Sequence, residues 1–149
     1  AYHTLENILE QKCIQASSRH MPSQCRCVSF TGKSPEEFIE HMRWRTRYSE
    51  MSFEPYGIGI RKSKAELLGV KKVCYTNTAV SSKNPDRWFM QSKGKITDWS
   101  NEDEYRFSGD FNFSDIANED IVIICKSPTE ADKLNSHFPY TVLPLFNHI

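Results

Sequence analysis

The run Trp99-Ser100-Asn101-Glu102-Asp103-Glu104-Tyr105-Arg106-Phe107 sets acids, an arginine and two aromatic rings in alternation. At the two-residue period of a strand, Glu102, Glu104 and Arg106 share one face while Tyr105 and Phe107 share the other. A strand that buries the two rings therefore holds two carboxylates and a guanidinium in fixed positions on its opposite side. Such a face is either a salt-bridged surface in water or a site. Charge alternation is common on half-exposed strands, so this run alone favours the solvated face, and the case for a site has to come from elsewhere in the chain.

Downstream, Ser108-Gly109-Asp110 reads as a turn leading to Phe111 and Phe113. Ile121-Val122-Ile123-Ile124-Cys125 is the most apolar run and reads as a central strand. Ser127-Pro128-Thr129-Glu130 then combines an N-cap serine, proline at the first helical position and glutamate at the third, a capping box that opens a helix to about Ser136. Residues 140–143 complete a strand-helix-strand unit. Upstream of the opening run, Thr76 to Asp98 is a long polar stretch holding Asn84-Pro85, Gly94 and the pair Trp88-Phe89, with a short helix around Arg87 to Gln91. Loops of this length in small domains are often functional.

Further upstream, residues 54–61 read as a strand in which Gly57 and Gly59 leave one face bare. Ser63 to Gly69 reads as a short helix with Ser63 as N-cap, Glu66 closing a capping box and Gly69 as stop, followed by a strand from Val70 to Tyr75. Cys27 to Phe30 is another strand, ended by Thr31-Gly32. Ser34-Pro35-Glu36-Glu37 is a capping box, whose helix is expected to run through Phe38, Ile39 and Met42 toward Trp44 and Arg45. Arg43, Arg45 and Arg47 suit the negative end of that helix without any ligand. At the beginning, a strand ending at His3 is expected, then Thr4 as N-cap of a helix from about Leu5 to Lys12 with Leu5, Ile8 and Leu9 on one face. Residues 14–16 read as a brief extended piece and 17–24 as loop. The whole reads as one α+β domain over residues 1–149, with a central mixed or antiparallel sheet and short flanking helices.

At 149 residues the chain can bury a true core without disulfides or metal. Nineteen basic and nineteen acidic residues cancel, so overall charge gives no argument for broad binding to nucleic acid or anionic membrane, though a local basic patch stays open. No apolar run has the length of a membrane span. Five scattered cysteines, an odd number, read as free thiols of a reducing cytoplasm, and Cys25-Arg26-Cys27 lacks the further ligands a zinc site needs.

Three pieces stand in chain order: His3-Thr4, Ser29-Phe30-Thr31 and Glu102-Asp103-Glu104. Their arrangement resembles the ADP-ribosyltransferase superfamily, in which residues on a first, a following and a later strand surround nicotinamide adenine dinucleotide (NAD). The run from Tyr2 to Glu10 is similar to the start of DarT-type domains, which modify DNA. Val28-Ser29-Phe30-Thr31, Tyr56-Gly57-Ile58-Gly59-Ile60 with Lys64, and Trp99-x-x-Glu102-x-Glu104-Tyr105-Arg106 are similar to bacterial abortive-infection (AbiGi-like) proteins, a resemblance that covers most of the chain. It implies an ADP-ribosyltransferase-like fold with NAD as co-substrate. Glu104, matching the family's final glutamate, would be catalytic and Glu102 its alternative or assistant; His3, Thr4, Ser29 and Thr31 would bind NAD.

The residue types suit that chemistry. Cleaving the bond between nicotinamide and ribose passes through an oxocarbenium-like state, which a nearby carboxylate stabilises electrostatically. Three readings follow. The first is ADP-ribosyl transfer to a nucleic acid or protein in phage defence or a toxin–antitoxin system. The second is a catalytically inactive interaction module of the same type, an antitoxin or defence component, favoured by the lack of a clear aromatic segment to stack on nicotinamide. The third is a divalent-ion nuclease, which three consecutive acids on one strand serve badly because neighbours point to opposite faces.

Overall fold

A computed structural model describes residues 1–19, 21, 25–40, 42, 44–45, 50–51, 53–93 and 102–146, with the backbone alone for 44–45 and 50–51. In chain order the elements are α1 (Tyr2–Gln11), β1 (Cys13–Ile14), β2 (Cys27–Thr31), α2 (Pro35–Ile39), β3 (Trp44–Arg45), β4 (Glu50–Met51), β5 (Gly57–Ile60) and α3 (Lys62–Leu67). There follow β6 (Lys71–Lys72), β7 (Cys74–Thr76), a 3₁₀ turn (Arg87–Phe89), β8 (Met90–Ser92), β9 (Glu104–Ser108) and β10 (Phe111–Asn112). A second 3₁₀ turn (Asn118–Asp120), β11 (Ile121–Cys125), α4 (Pro128–His137) and β12 (Thr141–Pro144) complete the order. The fold is α+β. Instead of one central sheet, the described strands form two three-stranded sheets and three two-stranded ladders, because most of them are only two to five residues long. Contacts group the chain into two units of interleaved segments: Ala1–Lys12, Ser34–Lys64 and Asp115–Ile149 in the first, Cys13–Lys33 and Ala65–Ser114 in the second.

In the first unit β11 is the central strand, as its composition requires: it pairs in parallel with β12 and antiparallel with β5. Ile121, Ile123 and Cys125 are buried on one face. The parallel partner needs a crossover, supplied by α4, which buries Ala131 and Leu134. Its capping box forms as the sequence indicates: Glu130 N–H donates to Ser127 Oγ and Ser127 N–H to Glu130 Oε2. Gly59 faces Val122 so closely that a Cβ there would stand 2.6 Å from Val122 Cγ1, so the bare face of β5 is taken up by the neighbouring strand.

Three expectations in this unit are corrected. His3 and Thr4 do not follow a strand; both lie within α1, which starts at Tyr2. Tyr2 stands three residues before Leu5 and seven before Leu9, on the same face, and its ring meets Tyr56 edge-on at 6.0 Å, so the apolar stripe extends the helix beyond the candidate cap at Thr4. The α2 capping box forms, but the helix stops at Ile39, with Phe38 against Phe53 at 4.3 Å, and residues 44–45 are extended and pair with β4. Arg43 and Arg47 lie outside the described residues. Finally, Ser63 is inside α3 rather than at its N-cap. The start of α3 is set by tertiary bonding: Arg61 N–H donates to the Asp120 carbonyl, and the side chains of Arg61 and Lys64 both pair with the Asp120 carboxylate.

In the second unit β9 runs antiparallel between β2 and β6. Phe111 and Phe113 are fully buried, and the Phe30 and Phe107 rings each meet Phe111 edge-on at 5.1 Å. The expected stop at Gly69 is present. Gly69, at φ +103°, and Val70 return their N–H groups to Glu66 and Ala65, a Schellman ending that buries Ala65 and Val70. The expected strand at 70–75 is two pieces, β6 on β9 and β7 in parallel with β8. The helical stretch near Arg87 is a single 3₁₀ turn.

Candidate functional site

The β2–β9 register sets Ser29 opposite Arg106 and Thr31 opposite Glu104. Directly paired residues share a face, so Ser29, Thr31, Glu104, Arg106 and, across β6, Lys71 project to one side, while Tyr105 and Phe30 project to the other. Three of the six residues selected from sequence thus meet at one end of one sheet, although more than seventy positions separate the two strands; Glu102, expected on the same strand face, precedes β9 and joins them only through its main-chain carbonyl. Ser29 Oγ donates to Glu104 Oε1 at 3.2 Å, and Thr31 Oγ1 donates to the Glu102 carbonyl at 2.7 Å.

The entry into β9 is tightly built. Gly32 N–H donates to the Asp103 carbonyl at 2.9 Å, and Asp103 takes φ +47°, in the left-handed region that aspartate tolerates better than most residues. A Cβ on Gly32 would fall on the Asp103 carboxylate and 2.9 Å from the Tyr105 ring, so glycine is required for this approach. Lys72 Nζ holds the Asp103 carboxylate at 2.6 Å.

The Glu104 and Arg106 side chains are not solvated, although Ser29, Thr31 and Lys71 on the same face are exposed, and this corrects the surface reading of these two residues. Only 3% of the Arg106 side chain and 14% of the Glu104 side chain are exposed. The guanidinium grips the carboxylate at two points, Nε to Oε1 at 2.6 Å and one terminal nitrogen to Oε2 at 3.1 Å. Its remaining N–H groups reach Gln91 Oε1 at 2.8 Å and the carbonyls of Trp88 and Met90 at 3.4 Å. Tyr75 O–H donates to Glu104 Oε2 at 2.8 Å. The Tyr75 pKa is pushed well above the usual phenol value, first by burial and then by its bond to the carboxylate, so it is a donor at neutral pH. Burial likewise raises the Cys27 thiol, which therefore stays protonated.

The sequence assigns no role to Tyr75 and Gln91, and gives Arg106 only that of an ion-pair partner of Glu104, a pair the structure contains. Arg106 carried a signal, since it shares the period of Glu104, but burial is invisible in an alternation of charges. Tyr75 and Gln91 carried none. His3 and Thr4 belong to the first unit, where both are exposed and His3 Nδ1 is bonded to Glu6 Oε2 at 2.9 Å. Among the described residues no group of three histidine, cysteine or acidic side chains is disposed to hold a metal ion, and Asp103 and Glu104 are each engaged by a cation. None of the described helices is long and apolar enough to cross a membrane. No protein-family model, curated protein or solved structure gives a significant match to the chain.

What the site offers chemically is an oriented carboxylate with one replaceable contact. Arg106 and Tyr75 hold Glu104 from the buried side; Ser29, on the exposed side, makes the longer bond. A ligand hydroxyl that displaced Ser29 would meet Glu104 Oε1 already aimed.

Proposed function

We propose that this chain is an ADP-ribosyltransferase-type domain that uses NAD as co-substrate to modify a nucleic acid or protein in a defence or toxin–antitoxin setting. One observation carries the reading: two of the three pieces chosen from sequence for their order converge at one end of the β2–β9 pair, with Ser29 bonded to the Glu104 carboxylate and Thr31 to the Glu102 carbonyl. Glu104 would orient a ribose hydroxyl and stabilise the positive charge that develops as the nicotinamide bond breaks; Ser29 and Thr31 would line the ribose side. Preorganisation by Arg106 and Tyr75 favours such a role, since the carboxylate needs no reorientation.

A second reading has its own observation. Both Glu104 oxygens already accept internal hydrogen bonds and Arg106 supplies a full counter-charge, which weakens any attraction for a cationic transition state. On this ground the domain would bind its partner without transferring anything.

Calorimetric titration with NAD, followed by incubation of the protein with labelled NAD and cell extract, separates the two. The first reading expects binding, and label incorporation that falls at least about a hundredfold in Glu104→Gln, the scale of losing one electrostatic stabiliser. Absence of NAD binding at millimolar concentration would sink it. Binding without incorporation points to the inactive module.

A further inference from the structure

The segment from β6 to the residue after β8 carries an excess of positive charge. Residues 71–93 hold five cations against the single acid Asp86, in a protein whose net charge is zero. Three of these cations lie over aromatic rings: the Arg87 guanidinium is 3.5 Å from the Trp88 ring centre, Lys71 Nζ is 5.0 Å from that of Phe89, and Lys72 Nζ is 5.8 Å from that of Tyr105. Lys71, Lys83 and Lys93 are exposed, and among the described residues no acid pairs with them. Trp88 and Phe89 are half-exposed, where rings of this size normally seek cover.

This cluster adjoins the Glu104 site. Arg106 binds Glu104 with two nitrogens and reaches the carbonyls of Trp88 and Met90, so the 3₁₀ turn carrying both rings is fastened to the same guanidinium that orients the carboxylate. Lys71 projects from β6 on the face of Arg106.

We infer that Lys71, Arg87, Trp88 and Phe89, with Lys93 alongside, form a docking surface for single-stranded nucleic acid. Aromatic faces accept unstacked bases whatever their sequence, and interleaved cations take the phosphates; an acidic protein would use the cations but leave the rings without a role. Binding stands on these residues alone. That the docked strand is also the acceptor at Glu104 rests on the transfer reading.

Fluorescence anisotropy with a labelled single-stranded oligonucleotide of mixed sequence tests the inference on the full chain. Affinity is expected to fall with salt, with a log–log slope on the order of −2 from about three phosphate contacts. Trp88→Ala is expected to weaken binding about tenfold, while Trp88→Phe, which keeps a stacking face, stays within about threefold of the parent. Lys71→Ala with Lys93→Ala should lower the slope by about one or more. Should Trp88→Ala lose its native circular dichroism, Lys71→Glu on the exposed strand replaces it, with a loss of about tenfold expected. No binding at low salt, or equal binding by the parent and these variants, overturns the inference. So does displacement of the oligonucleotide by poly-glutamate as readily as by unlabelled strand, which would assign the surface to an acidic protein. NAD binding is measured separately, so failure here leaves the transfer reading standing, and the reverse.

Discussion

Arg106 carries the most consequence of any single residue. A guanidinium with 3% exposure persists only because every N–H direction finds an acceptor: two on Glu104, one on Gln91 and two main-chain carbonyls. Removing it would strand the Glu104 carboxylate in a poorly hydrated place beside Tyr75. Arg106→Met is therefore expected to cost about 3–5 kcal/mol in urea denaturation, and Glu104→Leu in the same chain to recover a large part of that loss. Equal and additive losses would show that the pair is not coupled. At this scale the sequence was legible in part. The alternation of Glu104, Tyr105 and Arg106 correctly assigned faces, and Tyr105 is buried as expected. The burial of Arg106 was not legible, because the covering turn at residues 88–91 lies within the polar stretch from Thr76 to Asp98, whose composition marks a loop and not what the loop rests upon.

Among the elements, α4 shows how local chemistry and tertiary contact combine. Its serine, proline and glutamate determine where it starts, yet Glu130 also accepts a hydrogen bond from Tyr56 O–H at 2.9 Å, across from the segment leading into β5. Burial and the neighbouring Glu130 carboxylate push the Tyr56 pKa up to about 12 from an ordinary 10. Both act in one direction, since a phenolate would be poorly hydrated and repelled. A pKa raised on folding contributes stability that is fully present below the unfolded value and lost as pH rises toward the folded one. The Tm is thus expected to fall between pH 10 and about 12, and to fall less steeply in Tyr56→Phe, which lacks the proton. Parallel profiles for the two proteins would contradict the assignment. The helices whose capping boxes include proline, α2 and α4, start where their sequences indicate, because a cap satisfies backbone donors within four residues. The starts of α1 and α3 are decided instead by Tyr56 against Tyr2 and by Asp120 against Arg61 and Lys64, partners more than fifty positions away.

Over the whole chain, each unit is assembled from segments that the other interrupts. The second unit depends on residues 13–33 for β2, which supplies five of the residue pairs along β9, and for β1, which pairs with β10. A fragment of residues 65–114 is accordingly expected to lack cooperative unfolding by circular dichroism, and to regain structure when residues 13–33 are joined to it through a flexible linker. A cooperative transition in the shorter fragment would refute that dependence. The sequence by itself determined the α+β class, the central place of β11, the crossover through α4 to β12, two capped helix starts and the stop at Gly69. Each of these rests on hydrophobic period or on backbone bonds closed within a few residues, which neighbouring side chains dictate. Only the tertiary structure decided that Ser29 meets Glu104, that Arg106 is buried beneath the turn at Trp88, and that His3 lies in a helix. Those outcomes depend on strand register and on which distant segment covers a given face, and both are settled by the summed burial of many residues at once.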